Sequence, residues 1–317
     1  MTQQVALQKP AKRRRSASQW AVAWRRFKRN KAALVGMFMV GVLFFVAAFS
    51  NVLAKYPARP DPAAFTPFYE GDTGAPPSWK YPFGTTALGT DVYSEIIHGS
   101  IWTIYVAVGV TAITMALAIV TGITAGYFGK YVDDVIMRVA EVFLVFPSLL
   151  LILVFARIFQ LSVSATYWDV LGMKIPIGLT MVVLIIAIFG WAGDARLVRG
   201  EVLRVRELEF IQAERALGAS RVRILFRHIF PNVLSPIIVV ATLTMASAVL
   251  IEAGVSFLGF GDPNTVTWGR ILYENFQNIG TLWWAEVFPG LAVFWTVLGF
   301  NLMGDGLADA LNPRLRE

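Results

Sequence analysis

The chain has 317 residues, 56% of them hydrophobic and 15% charged, with a formal net charge of +7; a soluble domain of this length carries about 25% charged residues. Composition therefore places it among integral membrane proteins, where excess Lys and Arg mark cytoplasmic loops rather than a nucleic-acid partner. No cysteine is present, and His98 and His228 stand too far apart to suggest a metal centre, which excludes disulfide frameworks and thiolate metal sites.

In chain order, residues 1–31 form a basic segment with ten Lys and Arg, followed by an uncharged run at 32–54. At 23 residues this run exceeds the 7–15 of a signal-peptide core and reads as an uncleaved transmembrane anchor despite the "VLA" at 52–54. Residues 55–98 are rich in Pro, Gly and aromatics. Such a stretch cannot cross hydrocarbon and reads as an extracytoplasmic loop. A core over 99–310 then holds five more apolar runs, at 99–129, 142–156 (extended backward through Arg138), 175–193, 229–251 and 287–304, and a cytoplasmic tail covers 311–317. Of the 28 Lys and Arg, 22 fall on the side shared by both termini, which the positive-inside rule makes cytoplasmic. The expected fold is an all-α membrane protein with six spans. The loops at 159–174 and 262–286 are external on this reading, with Trp168, Trp268, Trp283 and Trp284 expected at headgroup level.

Within the spans, Gly122 and Gly126 make a small-xxx-small face suited to close packing inside the chain. Pro147 and Pro236 each remove a backbone donor and are expected to bend spans three and five. Glu252 and Asp305 lie late in their apolar runs, which interfacial hydrogen bonding explains as well as an ion relay; no midplane carboxylate is evident. The nearest approach to a phosphate loop, Gly129-Lys130, is followed by Tyr131 and has Thr124 where a glycine belongs. With no nucleophile–base–acid set, the chain carries no catalytic residue, no metal site and no cofactor of its own.

The most informative stretch is "FIQAERALGASRVRILFRHIFPN" at 210–232, inside the expected cytoplasmic loop 194–230. Residues 203–217 read as one helix with Phe210, Ala213 and Leu217 on a common face. Gly218 ends it, Ala219 follows, and Ser220 caps a second helix in which Val222, Leu225, Phe226 and Ile229 share a face, with Arg223 and Arg227 on another. Pro231 and Asn232 punctuate the entry into span five. The product is a cationic glycine elbow, suited either to anionic lipid or to a soluble partner.

The elbow resembles the EAA signature of ABC importer permeases: Gln212-Ala213-Glu214, then Arg215, Leu217 and Gly218, and finally His228-Ile229-Phe230-Pro231. The flanking motifs "WRRFKRNKAALVG", "AGYFGKYVDDVIMR", "RALGAS", "RHIFPN", "SFLGFG" and "FNLMGDGLADALNPRLR" are similar to the C-type permease subunit of the dipeptide/oligopeptide importers, over nearly the whole chain. That resemblance implies a type I importer permease in a bacterial or archaeal cytoplasmic membrane. The elbow, chiefly residues 212–223, would be a coupling element held by a cytoplasmic ATPase. A second, B-type permease, two ATP-binding subunits using ATP and Mg, and an extracytoplasmic solute-binding protein would complete the system. Permeases of this type handle dipeptides, longer peptides, nickel chelates and some oligosaccharides. An ion-coupled secondary transporter is the rival class, but neither an inverted repeat nor paired midplane charges stand out. Two departures matter. The family's leading Glu is Gln212 here, so Glu214 or Glu209 would supply the charge. The family's Gly-Thr-Asp-x-x-Gly-Arg-Asp becomes Gly84-Thr85-Thr86-Ala87-Leu88-Gly89-Thr90-Asp91, which reads as an acid–base pair lost together.

Overall fold

The computed structural model describes residues 19–57, 72–162, 167–170 and 173–311. Expectations for 1–18, 58–71, 163–166, 171–172 and the tail at 312–317 lie outside the described residues. The helices are α1 (Gln19–Phe27), α2 (Lys31–Ala48), α3 (Ser50–Leu53), α4 (Val92–Phe128), α5 (Lys130–Val145), α6 (Ser148–Ser162), α7 (Ile177–Arg206), α8 (Glu209–Ala216), α9 (Arg221–Ile224), α10 (Phe230–Phe257), α11 (Trp268–Asn275) and α12 (Trp284–Leu311). A short antiparallel hairpin, β1 (Tyr167–Val170) with β2 (Met173–Pro176), precedes α7. Five helices are long and apolar enough to cross a membrane, and the α5–α6 pair supplies a sixth passage when counted as one span.

The passages run between two ends. At one end, which the α4–α5 turn and the elbow share, α1 and the start of α2 pack on the end of α12 through Ala23, Phe27, Ala33 and Ala310. At the other lie the 72–91 segment, the hairpin and α11. There the buried Trp268 donates its indole N–H to Ile96 O at 2.9 Å, and Trp284 donates to Thr85 O at 3.0 Å. These two tryptophans are internal posts rather than the headgroup anchors expected, because each indole N–H has found a backbone carbonyl to satisfy it. Trp168 and Trp283 are exposed.

Helix boundaries depart from the apolar runs where capping chemistry takes over. Helix α4 starts seven residues before the expected 99, because Asp91 accepts from Ser94 N at 3.0 Å and from Ser94 Oγ at 2.6 Å. Helix α7 does not stop at 193; it continues through Asp194 to Arg206, a stretch without proline. Its first turn is capped from afar by Asp262, whose Oδ2 accepts from Leu179 N at 3.2 Å. Span three is two helices bent by 81° around Phe146 and Pro147, since Pro147 disfavours helical geometry at the residue before it. Helix α10 runs through Pro236 without a break. The family's acid and base positions in the 72–91 segment, Thr86 and Thr90, do touch, through a hydroxyl–hydroxyl bond of 2.6 Å.

The largest interhelical contact joins α4 to α7. A Cβ on Gly122 would lie 2.6 Å from Ala195 O, and one on Gly126 2.9 Å from Val202 Cβ. The two backbones are therefore as close as glycine allows. Gly122→Val is expected to force the pair apart and cost about 1–3 kcal/mol of overpacking strain. It should appear as a lower unfolding midpoint in detergent, with Gly193→Ala, which meets nothing within 4 Å, as the unaffected control.

In the 72–91 segment Asp72 accepts from both Lys80 and Tyr81. These hydrogen bonds, that of Lys80 first, hold the Asp72 carboxyl below its ordinary 3.8, while Asp72 raises Lys80 above its ordinary 10.5. The Asp72 contribution is present above its ordinary value and is lost as pH falls through the lowered one; that of Lys80 is present below its ordinary value and is lost as pH rises through the raised one. A fluorophore placed through Trp79→Cys, fully exposed beside the pair, should report constant mobility from about pH 5 to 9 and loosening only beyond those limits. Unchanged mobility in Lys80→Ala would refute that ordering role.

Candidate functional site

The elbow is built at the end where α7 leaves the bundle. Residues 203–217 are not one helix: α7 ends at Arg206, Glu207 and Leu208 turn the chain, and α8 begins at Glu209. The turn is fixed by tertiary contacts. Arg206 donates from Nη1 to Gly126 O at 2.8 Å and to Tyr127 O at 3.4 Å, carbonyls of the last turn of α4 that have no helical donor of their own. Ile211 must then reach the core, where it is fully buried with Ile224, Ile229 and Val233 against Val198, Val202 and Val205.

Gly218 ends α8 at φ +81°, and a Cβ there would meet nothing within 4 Å. Glycine is needed for the left-handed backbone alone, not for space. Ser220 caps α9 by accepting from Arg223 N at 3.3 Å. The second arm is not a separate helix. After α9 the chain widens into one π-helical turn, Leu225–Ile229, and passes directly into α10. Pro231 lies in the first turn of α10, where its missing N–H is least costly. Tyr127 donates from its hydroxyl to Arg221 O at 3.2 Å, fastening the arm to α4.

Gln212 donates from Nε2 to Glu207 O at 3.3 Å, and Glu214 Oε1 lies 3.6 Å from His228 Nε2 across the elbow. Phe210 rests against the same His228 ring. Ala213, Arg215 and Arg223 are exposed, Ala219 is half-buried, and Leu217 (84%), Val222 (66%) and Phe226 (66%) leave large apolar surfaces open. The elbow thus has a buried base and an exposed apolar tip, on a segment whose Arg215, Arg221, Arg223 and Arg227 are also exposed.

Sequence reasoning missed the supports. Arg199 pairs with Asp133, and Arg196 with Glu141 at 3.4 Å, so two α7 arginines are tied to α5 rather than free for a partner. The acids Asp133 and Glu141 and the bases of "DARLVR" were the available signal. Glu252 is buried and accepts from Ser256 Oγ at 2.6 Å, and Asp305 is exposed. Neither belongs to the elbow, and no group of three or more acidic or His ligands occurs among the described residues.

Residues 118–317 match the binding-protein-dependent transport system inner membrane component family, and residues 18–77 match the N-terminal transmembrane domain of oligopeptide transport permease C. The chain belongs to that first family, a class of multi-pass permeases of the cytoplasmic membrane, with the second as its amino-terminal part. It is 34% identical over 305 residues to the dipeptide transport system permease protein DppC of Alkalihalophilus pseudofirmus, covering 95% of this chain and 92% of that protein. It is 32% identical to the oligopeptide transport system permease protein OppC of Bacillus subtilis, covering 96% and 92%. It is 36% identical over 300 residues to the glutathione transport system permease protein GsiD of Escherichia coli O157:H7, covering 94% and 91%.

Arg206→Ala removes the donor to two α4 carbonyls and is expected to cost about 1.5–3 kcal/mol, as a charged hydrogen-bond donor does. Ser220→Ala should cost about 1 kcal/mol, confined to α9. Amide hydrogen exchange distinguishes them: Arg206→Ala deprotects the whole of 207–220, and Ser220→Ala only the turn at 221–224.

Proposed function

We propose that this chain forms half of the translocation path of an ATP-driven importer of di- and oligopeptides, and that the elbow couples it to a cytoplasmic ATPase. A B-type permease, two ATP-binding subunits and an external solute-binding protein complete the assembly. The elbow end faces the cytoplasm, in keeping with its share of the Lys and Arg. The peptide substrate rests on the relatives' names, and hydrolysis of ATP with Mg belongs to the partner subunits.

The observation that carries the coupling role is the exposed apolar tip on a rigid base. Leu217, Val222 and Phe226 are large side chains that this chain leaves uncovered, while Ile211, Ile224 and Ile229 lock the same segment to α4, α7 and α10. Such a knob fits an apolar groove with an acidic rim. A few well-packed, fully desolvated side chains carry most of the energy of an interface. Of the two acids proposed to replace the missing charge at Gln212, Glu214 is turned toward His228 and Glu209 is exposed; Glu209 is the one open to a partner.

Co-purification of the ATPase subunits with the tagged chain tests this. Leu217→Glu with Phe226→Glu is expected to lower recovery by tenfold or more, the loss of roughly 2 kcal/mol that a hot-spot pair implies, with the chain's own helicity unchanged. Glu209→Lys should lower it more than Glu214→Lys. Gly218→Pro, incompatible with positive φ, should abolish it. Peptide uptake by the chain alone in proteoliposomes without ATPase subunits would overturn the reading.

A further inference from the structure

The extension of α7 past 193 carries Asp194 into the bundle, half-exposed, with Thr244 donating from Oγ1 to its Oδ2 at 3.3 Å. At 1.5 Å per residue, Asp194 lies about 25 Å from the start of α7, and Thr244 lies about 21 Å from the start of α10, half-way along it. Among the described residues no cation pairs with Asp194: Arg196 and Arg199 turn away to Glu141 and Asp133 on α5. One turn back on the same face, Gly190 is exposed, and a Cβ there would meet only Thr114 Oγ1, at 3.9 Å. The hydroxyls of Thr114 and Thr111, both buried, have no hydrogen-bond partner.

A carboxylate at this depth, open on one side and without a counter-ion, cannot face lipid; such groups face water-filled space and meet cations. The unpartnered Thr114 hydroxyl lies on α4 behind Gly190, a buried polar group next to the same face. We propose that Asp194, oriented by Thr244, is a cation-recognising waypoint on the translocation route, where it takes the ammonium group of a passing peptide. The substrate half of this inference rests on the importer reading above. The aqueous, cation-selective character of the site does not.

Two measurements separate them. Because the chain has no cysteine, Gly190→Cys gives a single thiol beside the carboxylate in the full chain in membranes. A cationic methanethiosulfonate should label it about tenfold faster than an anionic one, and Asp194→Asn should erase the preference, as expected where a charge sets local ion concentration. No labelling, or equal rates with Asp194 present, overturns the site. In the assembled transporter, Asp194→Asn should reduce uptake of peptides with a free amino terminus by roughly ten- to a hundredfold, the worth of one charge-assisted hydrogen bond. Asp194→Glu should restore most of it, and N-acetylated peptides should lose nothing further. Unchanged uptake by Asp194→Asn, or equal loss for acetylated peptides, overturns the ammonium assignment. Failure of the unmodified transporter to move any peptide overturns the importer reading, with the labelling result standing apart.

Discussion

The seam between α4 and α7 governs the rest of the molecule. In a membrane, helices gain little by hiding apolar side chains from lipid that is equally apolar, so close backbone approach and internal hydrogen bonds must hold them together. Gly122 and Gly126 let α7 come within contact of its neighbour's backbone. Arg206 closes the seam by capping carbonyls that the end of α4 leaves open. Everything beyond Arg206 inherits its position from that closure: the turn at Glu207, the burial of Ile211, and the angle at which the elbow leaves the bundle.

The elbow has two kinds of surface. Its inner face is hydrocarbon packed on hydrocarbon, continuous with the core that α4, α7 and α10 share. Its outer face presents Leu217, Val222 and Phe226 among arginines. A segment meant only to lie on lipid has no need of a base so tightly fixed, since an interfacial helix binds through buried apolar area and diffuse charge. The fixed base is what the proposed docking to a protein partner would require.

Much of this was legible in the sequence. Long uncharged runs betrayed the spans, Pro147 its bend, and Gly218 with Ser220 the sharp point of the elbow, because each of these rests on local chemistry. The failures share a cause as well. The break after Arg206 lies among good helix formers, Arg-Glu-Leu-Glu, and is imposed by a partner 80 residues away in the chain. The run 194–202 was read as the start of a loop because it is charged, yet charge ends a membrane span without ending a helix. Asp194 was overlooked for the same reason. Trp268 and Trp284 looked like interface residues until their indole N–H groups were matched to carbonyls of Ile96 and Thr85, which only the fold brings near.

The passage of the elbow's second arm into α10 without a loop has a mechanical meaning. A loop between them would act as a slack tether and would absorb displacement by changing its own torsions. Here the joint is one widened helical turn, Leu225–Ile229, leading into a rod that reaches Phe257 at the opposite end. Helix α10 is also the element that carries Thr244 at its middle and Glu252 near its far end. Ser220 and these side chains therefore sit on one continuous lever, in which only the widened turn and Pro236 are places to bend. The Tyr127 bond to Arg221 O marks where that lever meets its fulcrum on α4.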